Sequence, residues 1–231
     1  MPTTAILLAA VLVLLYVFVW RVPTPQEVFS IAQHYAVELK AERGGDAVSY
    51  GSAVLINDDG YLISNAHVVS YTQNTVLQYY IRFSFETDYR AVDLVVYDSD
   101  IDIAILKLKE KPSFKLKPVR IADATKIKVG DEVFAVGNGM NHGIGQTHGY
   151  ISLPRVNIEY DGMMRSVIQC DLIINEGNSG GALLNNKGKL LGLTTFRVKD
   201  NKGTPIYGIA FCIPTEIITG YLVCQDIKYV K

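Results

Sequence analysis

Short apolar runs broken by turn clusters occupy most of this chain, and one longer apolar run opens it. Val37, Leu39 and Ala41 alternate with Glu38, Lys40 and Glu42, a period of two that predicts a strand. Gly44-Gly45-Asp46 then turns the chain back. Further runs are separated by Asn57-Asp58-Asp59-Gly60, Lys111-Pro112-Ser113, Gly137-Asn138-Gly139 and Asn185-Asn186-Lys187-Gly188. Many short strands at this spacing predict an all-β sandwich or barrel. Helices are expected in two places. Thr24 as N-cap, Pro25 at the first position and Glu27 three residues after the cap predict a short helix through about His34. A closing helix is expected from near Pro214 through Thr215-Glu216-Ile217-Ile218 toward Cys224. The sequence shows no internal repeat and no low-complexity tract.

The opening run differs in kind. No charged side chain occurs in the first twenty residues, and Ala5 to Trp20 is continuously apolar. A helix over residues 3–20 would rise roughly 27 Å at about 1.5 Å per residue, enough for a thin hydrocarbon core. Trp20 and Arg21 suit the interface. A cleaved signal peptide normally carries a basic start and a small-residue cleavage site. Met1-Pro2-Thr3-Thr4 has no basic side chain, and Tyr16-Val17-Phe18-Val19-Trp20-Arg21 has no Ala-x-Ala. The expectation is an uncleaved transmembrane anchor over residues 1–23. Arg21, Lys40 and Arg43 on its C-terminal flank lean weakly toward a cytoplasmic domain by the positive-inside rule.

Composition narrows the classes. The 231 residues are 49% hydrophobic and 19% charged, which permits a large core and argues against disorder. Lys+Arg number 22 against 23 Asp+Glu, so no bulk attraction to nucleic acid is expected. Cys170, Cys212 and Cys224 have no metal-ligand spacing. Cys170 and Cys212 lie in apolar runs and read as core residues, with one disulfide plus a free thiol as the alternative. His142 and His148 are six apart in a glycine-rich loop with no cysteine or carboxylate close in sequence, so neither metal nor cofactor is expected. His34 reads as a helix-end residue favoured by the macrodipole.

The candidate chemistry centres on Gly177-Asn178-Ser179-Gly180-Gly181. A serine among glycines, just past an apolar run, can be held on a tight turn. The N–H groups of Gly177 and Ser179 could then converge on an oxyanion. A serine hydroxyl needs an adjacent base to become a nucleophile. His67 ends the run Tyr61-Leu62-Ile63-Ser64-Asn65-Ala66-His67, where a strand end would hold it rigidly. A third group must fix the imidazole tautomer. Asp102 is preferred because it abuts the run Ile103-Ala104-Ile105-Leu106; Asp98 and Asp100 are rivals. The order His67, Asp102, Ser179 is that of chymotrypsin.

Four segments carry a wider likeness. They are Tyr50 to Ile56 with Asp59 to Val69; Asp102 to Lys107; Gly177 to Leu183 with Gly188 to Gly192; and Tyr207 to Pro214. In these the chain resembles the trypsin-like serine proteases of HtrA/Deg type, over residues from about 35 to 225. The resemblance implies two six-stranded β-barrels, at roughly 35–120 and 126–213, within a protease domain spanning residues 24–231. It implies His67 as general base, Asp102 as orienting acid, Ser179 as nucleophile, and the amides of Gly177 and Ser179 as oxyanion hole. In this fold the residue six before the nucleophile, here Ile173, helps form the base of the substrate pocket. An aliphatic residue there predicts cleavage after small or medium aliphatic residues, not after Lys or Arg.

The expected protein is thus a membrane-anchored serine endopeptidase acting on unfolded or exposed polypeptides. The resemblance implies an extracytoplasmic protease domain. The alternative is a proteolytically silent binding or chaperone-like module on the same fold. Many relatives carry PDZ domains after the protease domain, and the 17 residues after Pro214 are too few for one. Oligomeric state, natural substrate and activation trigger stay open at this level.

Overall fold

The computed structural model describes residues 21–70, 77–160, 162–199 and 205–231. Twelve strands close into two barrels. The first contains β1 (Ala36–Arg43), β2 (Asp46–Leu55), β3 (Tyr61–Ser64), β4 (Gln78–Phe83), β5 (Arg90–Asp98) and β6 (Ile103–Leu108). The second contains β7 (Glu132–Gly137), β8 (Gly145–Tyr160), β9 (Met163–Cys170), β10 (Ala182–Asn185), β11 (Leu190–Lys199) and β12 (Pro205–Pro214). Around the first barrel the order is β1-β2-β3-β6-β5-β4; around the second it is β7-β8-β9-β12-β11-β10. The two orders are the same. The molecule therefore repeats a topology that its sequence does not repeat, because a barrel constrains alternation and turns but not residue identity.

Helix α1 (Pro25–Ala32) begins where expected. The Thr24 hydroxyl accepts from the Glu27 amide, and the Glu27 carboxylate accepts from the Thr24 amide, a complete capping box. The helix ends at Ala32, two residues short of His34. A single turn, α2 (Ala66–Val69), follows β3. Helix α3 (Thr215–Cys224) closes the chain, and its Ile218 and Leu222 are buried in the main core.

That core fills the first barrel and continues across the join. Phe83, Leu39, Ile63 and Ile105 share one cluster with Phe134, Leu184, Leu193 and Ile213 of the second barrel. Burying side chains of this size contributes about 1.5–3 kcal/mol each. A second cluster, including Val133, Ile168, Leu172 and Leu183, fills the second barrel. The strand pattern of β1 has one exception: Glu38 is 4% exposed although charged. Arg82 and Tyr89 meet its carboxylate at 3.0 Å, which is how a buried charge is tolerated.

Residues 1–20, and with them most of the expected anchor, lie outside the described residues. Among the described residues no helix is long and apolar enough to cross a membrane. Cys170, Cys212 and Cys224 are all free, the first two buried and the third exposed.

Candidate active site

The site is built where the two barrels meet. β3 ends at Ser64, and Asn65 is extended (φ −81°, ψ 147°) before α2 begins. His67 therefore stands on a one-turn helix beyond the strand, not at the strand end itself. Its ring is half exposed, while the Asp102 carboxylate beneath it is 9% exposed. His67 Nδ1 lies 3.0 and 2.9 Å from the two Asp102 oxygens. The His67 backbone amide donates to Asp102 Oδ1 at 3.0 Å. The carboxylate so fixes both the ring and the turn that carries it, and places a proton on Nδ1, leaving Nε2 free to accept.

One rival of Asp102 is otherwise engaged. Asp98 Oδ1 accepts from the amides of Asp100 and Ile101 and so shapes the turn before β6. Asp102 adopts φ +56°, a left-handed conformation uncommon outside glycine. Its carbonyl is held by the Asn65 side-chain amide at 2.9 Å, and the same amide donates to Thr195 Oγ1 at 3.0 Å. Asn65 thus ties the first barrel's acid to β11 of the second.

Ser179 sits on the turn between Ile174 and β10. Two glycines there are required by space as well as conformation. Gly177 has φ +89°, and a Cβ on it would strike the Asn138 carbonyl; Gly180 has φ +80°, and a Cβ would strike Ser64 Oγ and the Ser52 carbonyl. The peptide planes of the turn are pinned through their carbonyls. Glu176 O accepts from the Met140 amide at 2.7 Å. Asn178 O accepts from the Gly181 amide at 2.9 Å and from Thr194 Oγ1 at 2.5 Å. A trans peptide points its N–H opposite to its C=O. The amides of Gly177 and Ser179 are accordingly turned away from these acceptors, and neither donates to a partner among the described residues. Free N–H donors on such a turn are the kind of group a developing oxyanion needs. The Ser179 hydroxyl donates to the Thr195 carbonyl at 3.0 Å.

A cleft of about 470 Å³ opens over these groups, with His67, Asp102 and Ser179 among its lining residues. Ile174 lines it as well and is only 6% exposed. Ile173, expected at the pocket base, is 52% exposed and does not line the cleft. Successive residues of an extended segment face opposite ways, so the side chain presented inward is the next one along.

Four residues of the site went unread in the sequence. Ser52 on β2 is fully buried and joins the barrels: its hydroxyl donates to Gly177 O at 2.7 Å and accepts from the Asn138 amide at 2.8 Å. Asn65, Asn138 and Thr195 complete the framework. Ser52 and Thr195 lie inside β2 and β11, Asn65 and Asn138 just past β3 and β7, and nothing in the local sequence marks them out. His142 and His148 do not come together with other ligands: His148 Nε2 pairs with Glu132 at 2.9 Å. Among the described residues no group of three metal-ligating side chains occurs.

A family model described as a trypsin-like peptidase domain matches residues 51–193. The chain is 38% identical over 169 residues to the periplasmic pH-dependent serine endoprotease DegQ of Escherichia coli, covering 72% of this chain and 35% of that protein. It is 33% identical over 180 residues to a probable periplasmic serine endoprotease, DegP-like, of Pseudomonas putida, covering 77% of this chain and 35% of that protein. It thus spans about a third of the length of these relatives. The solved structure of the HtrA-type protease AlgW with tripeptide superimposes with a TM-score of 0.74 at 29% identity, over 89% of this chain and 65% of that one. Matched family model, paired barrels and shared relatives agree, and the chain belongs to the trypsin-like peptidases of HtrA type.

Proposed function

We propose that this chain is a serine endopeptidase that hydrolyses exposed or unfolded polypeptide through an acyl-enzyme. Ser179 Oγ attacks the peptide carbonyl and His67 Nε2 takes its proton. The carbonyl oxygen, now negative, is met by the N–H groups of Gly177 and Ser179. His67 then gives the proton to the departing amine, and water, activated by the same imidazole, releases the acyl group. Asp102 stabilises the imidazolium throughout. The observation that carries the reading is the free pair of turn amides beside a serine, in one cleft with an Asp102-oriented His67.

Ile174 and Phe196 line the cleft, an apolar wall that supports cleavage after small or medium aliphatic residues. The apolar run at 5–20 supports a single-span anchor ahead of a protease domain starting near residue 24. The printed names of the relatives, periplasmic proteases, support an extracytoplasmic domain.

One contact favours the silent-module alternative. The Ser179 hydroxyl is bonded to Thr195 O, so it must rotate toward His67 before it can lose its proton. A serine-directed phosphonate separates the readings. Covalent labelling of wild type but not of Ser179→Ala supports the peptidase. Equal silence from both supports the binder.

A further inference from the structure

Arg165 is a cation in the cleft that the chemistry above does not use. It lies on β9 near the end of the β8–β9 hairpin and lines the same cleft as His67 and Ser179. Its Nη2 donates to the Ser99 carbonyl at 3.2 Å, reaching from the second barrel to the loop that precedes Asp102 in the first. Its Nε and Nη1 are shielded from solvent and have no hydrogen-bond partner among the described residues.

Four other arginines are placed differently. Arg21, Arg82, Arg90 and Arg155 each hold a carboxylate: Glu27, Glu38, Glu86 and Glu216 respectively. Arg165 has no carboxylate among its contacts within the described residues. A guanidinium carries five N–H donors in a planar fork and cannot shed its charge by deprotonating. Leaving donors of a charged group idle and dry is costly. The group that relieves this is a planar anion matching the fork with two parallel hydrogen bonds, a carboxylate.

We infer that Arg165 forms a subsite for an acidic side chain, Asp or Glu, of a polypeptide bound in the cleft. The inference rests on the cleft being a peptide site, as proposed above, and adds a charge preference away from the bond cleaved. The apolar wall selects the residue at the bond, and Arg165 selects a carboxylate elsewhere along the same strand of substrate. A carboxylate pairs with Nη2 and the neighbouring Nε or Nη1, and because Nε and Nη1 are shielded in the free protein the guanidinium turns toward the cleft to meet it.

The test uses the full chain and a neutral peptide with an aliphatic residue at the bond. One Glu, or its isostere Gln, is walked through the four positions on either side. In wild type, Glu at one position is expected to raise kcat/KM about tenfold over Gln, the scale of one charged hydrogen-bond pair. Arg165→Gln should erase that difference, and Arg165→Glu should make Lys the preferred residue at that position, with melting temperatures reporting that both variants fold. A second measurement needs no turnover: fluorescence anisotropy of the same labelled peptides on Ser179→Ala should show tighter binding of the Glu peptide, lost when Arg165→Gln is added. Equal behaviour of Glu and Gln peptides at every position overturns the subsite, as does a Glu preference that survives Arg165→Gln. Failure of the neutral peptide to be cleaved, with no phosphonate labelling, would count against the peptidase and leave the binding measurement to decide on Arg165.

Discussion

Ser52 donates its hydroxyl to the carbonyl of Gly177 at 2.7 Å, a contact between residues 125 apart that lies in the join between the barrels. The same oxygen accepts from the Asn138 amide, and the Ser52 backbone amide donates to Ser179 O at 2.9 Å. The turn bearing the nucleophile is therefore positioned by the opposite barrel. Ser52→Ala leaves Gly177 O and the Asn138 amide buried without that partner, at about 1–3 kcal/mol for each stranded group. A shift of the turn by about 1 Å would cost on the order of 10²-fold in rate. The expected result is a lower unfolding midpoint in denaturant and a fall in kcat with KM little changed. Wild-type kcat in a destabilised Ser52→Ala would show that the turn holds its own shape.

Asn65 makes a parallel argument from the acid's side. It occupies the N-cap position of α2 but makes no cap bond; its amide is spent on Asp102 O and Thr195 Oγ1 instead. Without it, the left-handed Asp102 loses the bond to its carbonyl, and a strained backbone persists only when its surroundings over-determine it. Asn65→Ala is expected to lower kcat while leaving KM for a short peptide within about twofold, because no part of Asn65 lines the cleft. Asn65→Asp removes the donor at the same size, and recovery of activity in that variant would sink the positioning role.

Asp102→Asn tests the imidazole's partner directly. The carboxylate accepts from both Nδ1 and the backbone amide of His67, and a neutral carboxamide presents only one oxygen to do this. Its NH₂ group would favour the wrong imidazole tautomer. A loss in kcat of about 10⁴-fold is expected, as for the same exchange in other triads of this order. Near-normal turnover would return the role to Asp98 or Asp100.

How far the sequence reached follows from what each residue does. The capping box at Thr24 and the alternation in β1 are local, so they were legible, and the structure places them as expected apart from the buried Glu38. The barrel halves and α3 were legible from turn chemistry and the family resemblance. His67 and Asp102 could be paired in sequence only by type and order, because their contact is a product of register between β3 and β6, where Ser64 faces Ala104. Ser52, Asn65 and Thr195 were not legible. Their roles are bonds to distant main-chain groups, and a buried serine or asparagine looks no different in sequence from a solvated one. Ile173 against Ile174 shows the limit for an irregular segment: without paired strands on both sides, its facing could be off by one.

The three cysteines separate by environment. Contact with the Cys170 thiol, and then burial, holds the Cys212 thiol well above its usual range; both thiols are fully buried. Cys224 is exposed at the end of α3. A thiol reacts as its thiolate and only where reagent reaches it. Dithionitrobenzoate is expected to modify one thiol in the folded protein and three after denaturation. Cys224→Ser should abolish the native signal. Rapid modification of two or more thiols under native conditions would mean the second barrel opens readily.

His34 supplies a test on pH. It follows α1, with its Nε2 3.2 Å from Lys117 Nζ and its ring beside Phe85. The helix end alone would favour the protonated ring. Burial, and then the Lys117 charge, act the other way and hold its pKa below the ordinary imidazole value of 6.5. The sign follows from linkage. In the unfolded chain the ring binds its proton at the ordinary value, and in the folded chain only at lower pH. The neutral ring's contribution to stability is therefore present above pH 6.5 and is lost as pH falls through that value toward the folded pKa. An NMR titration of the His34 ring should give a midpoint below that of a free histidine peptide. Lys117→Gln should raise it part of the way, since the larger cause, burial, remains. A midpoint at or above the peptide value in the wild-type protein would mean that the helix end outweighs both.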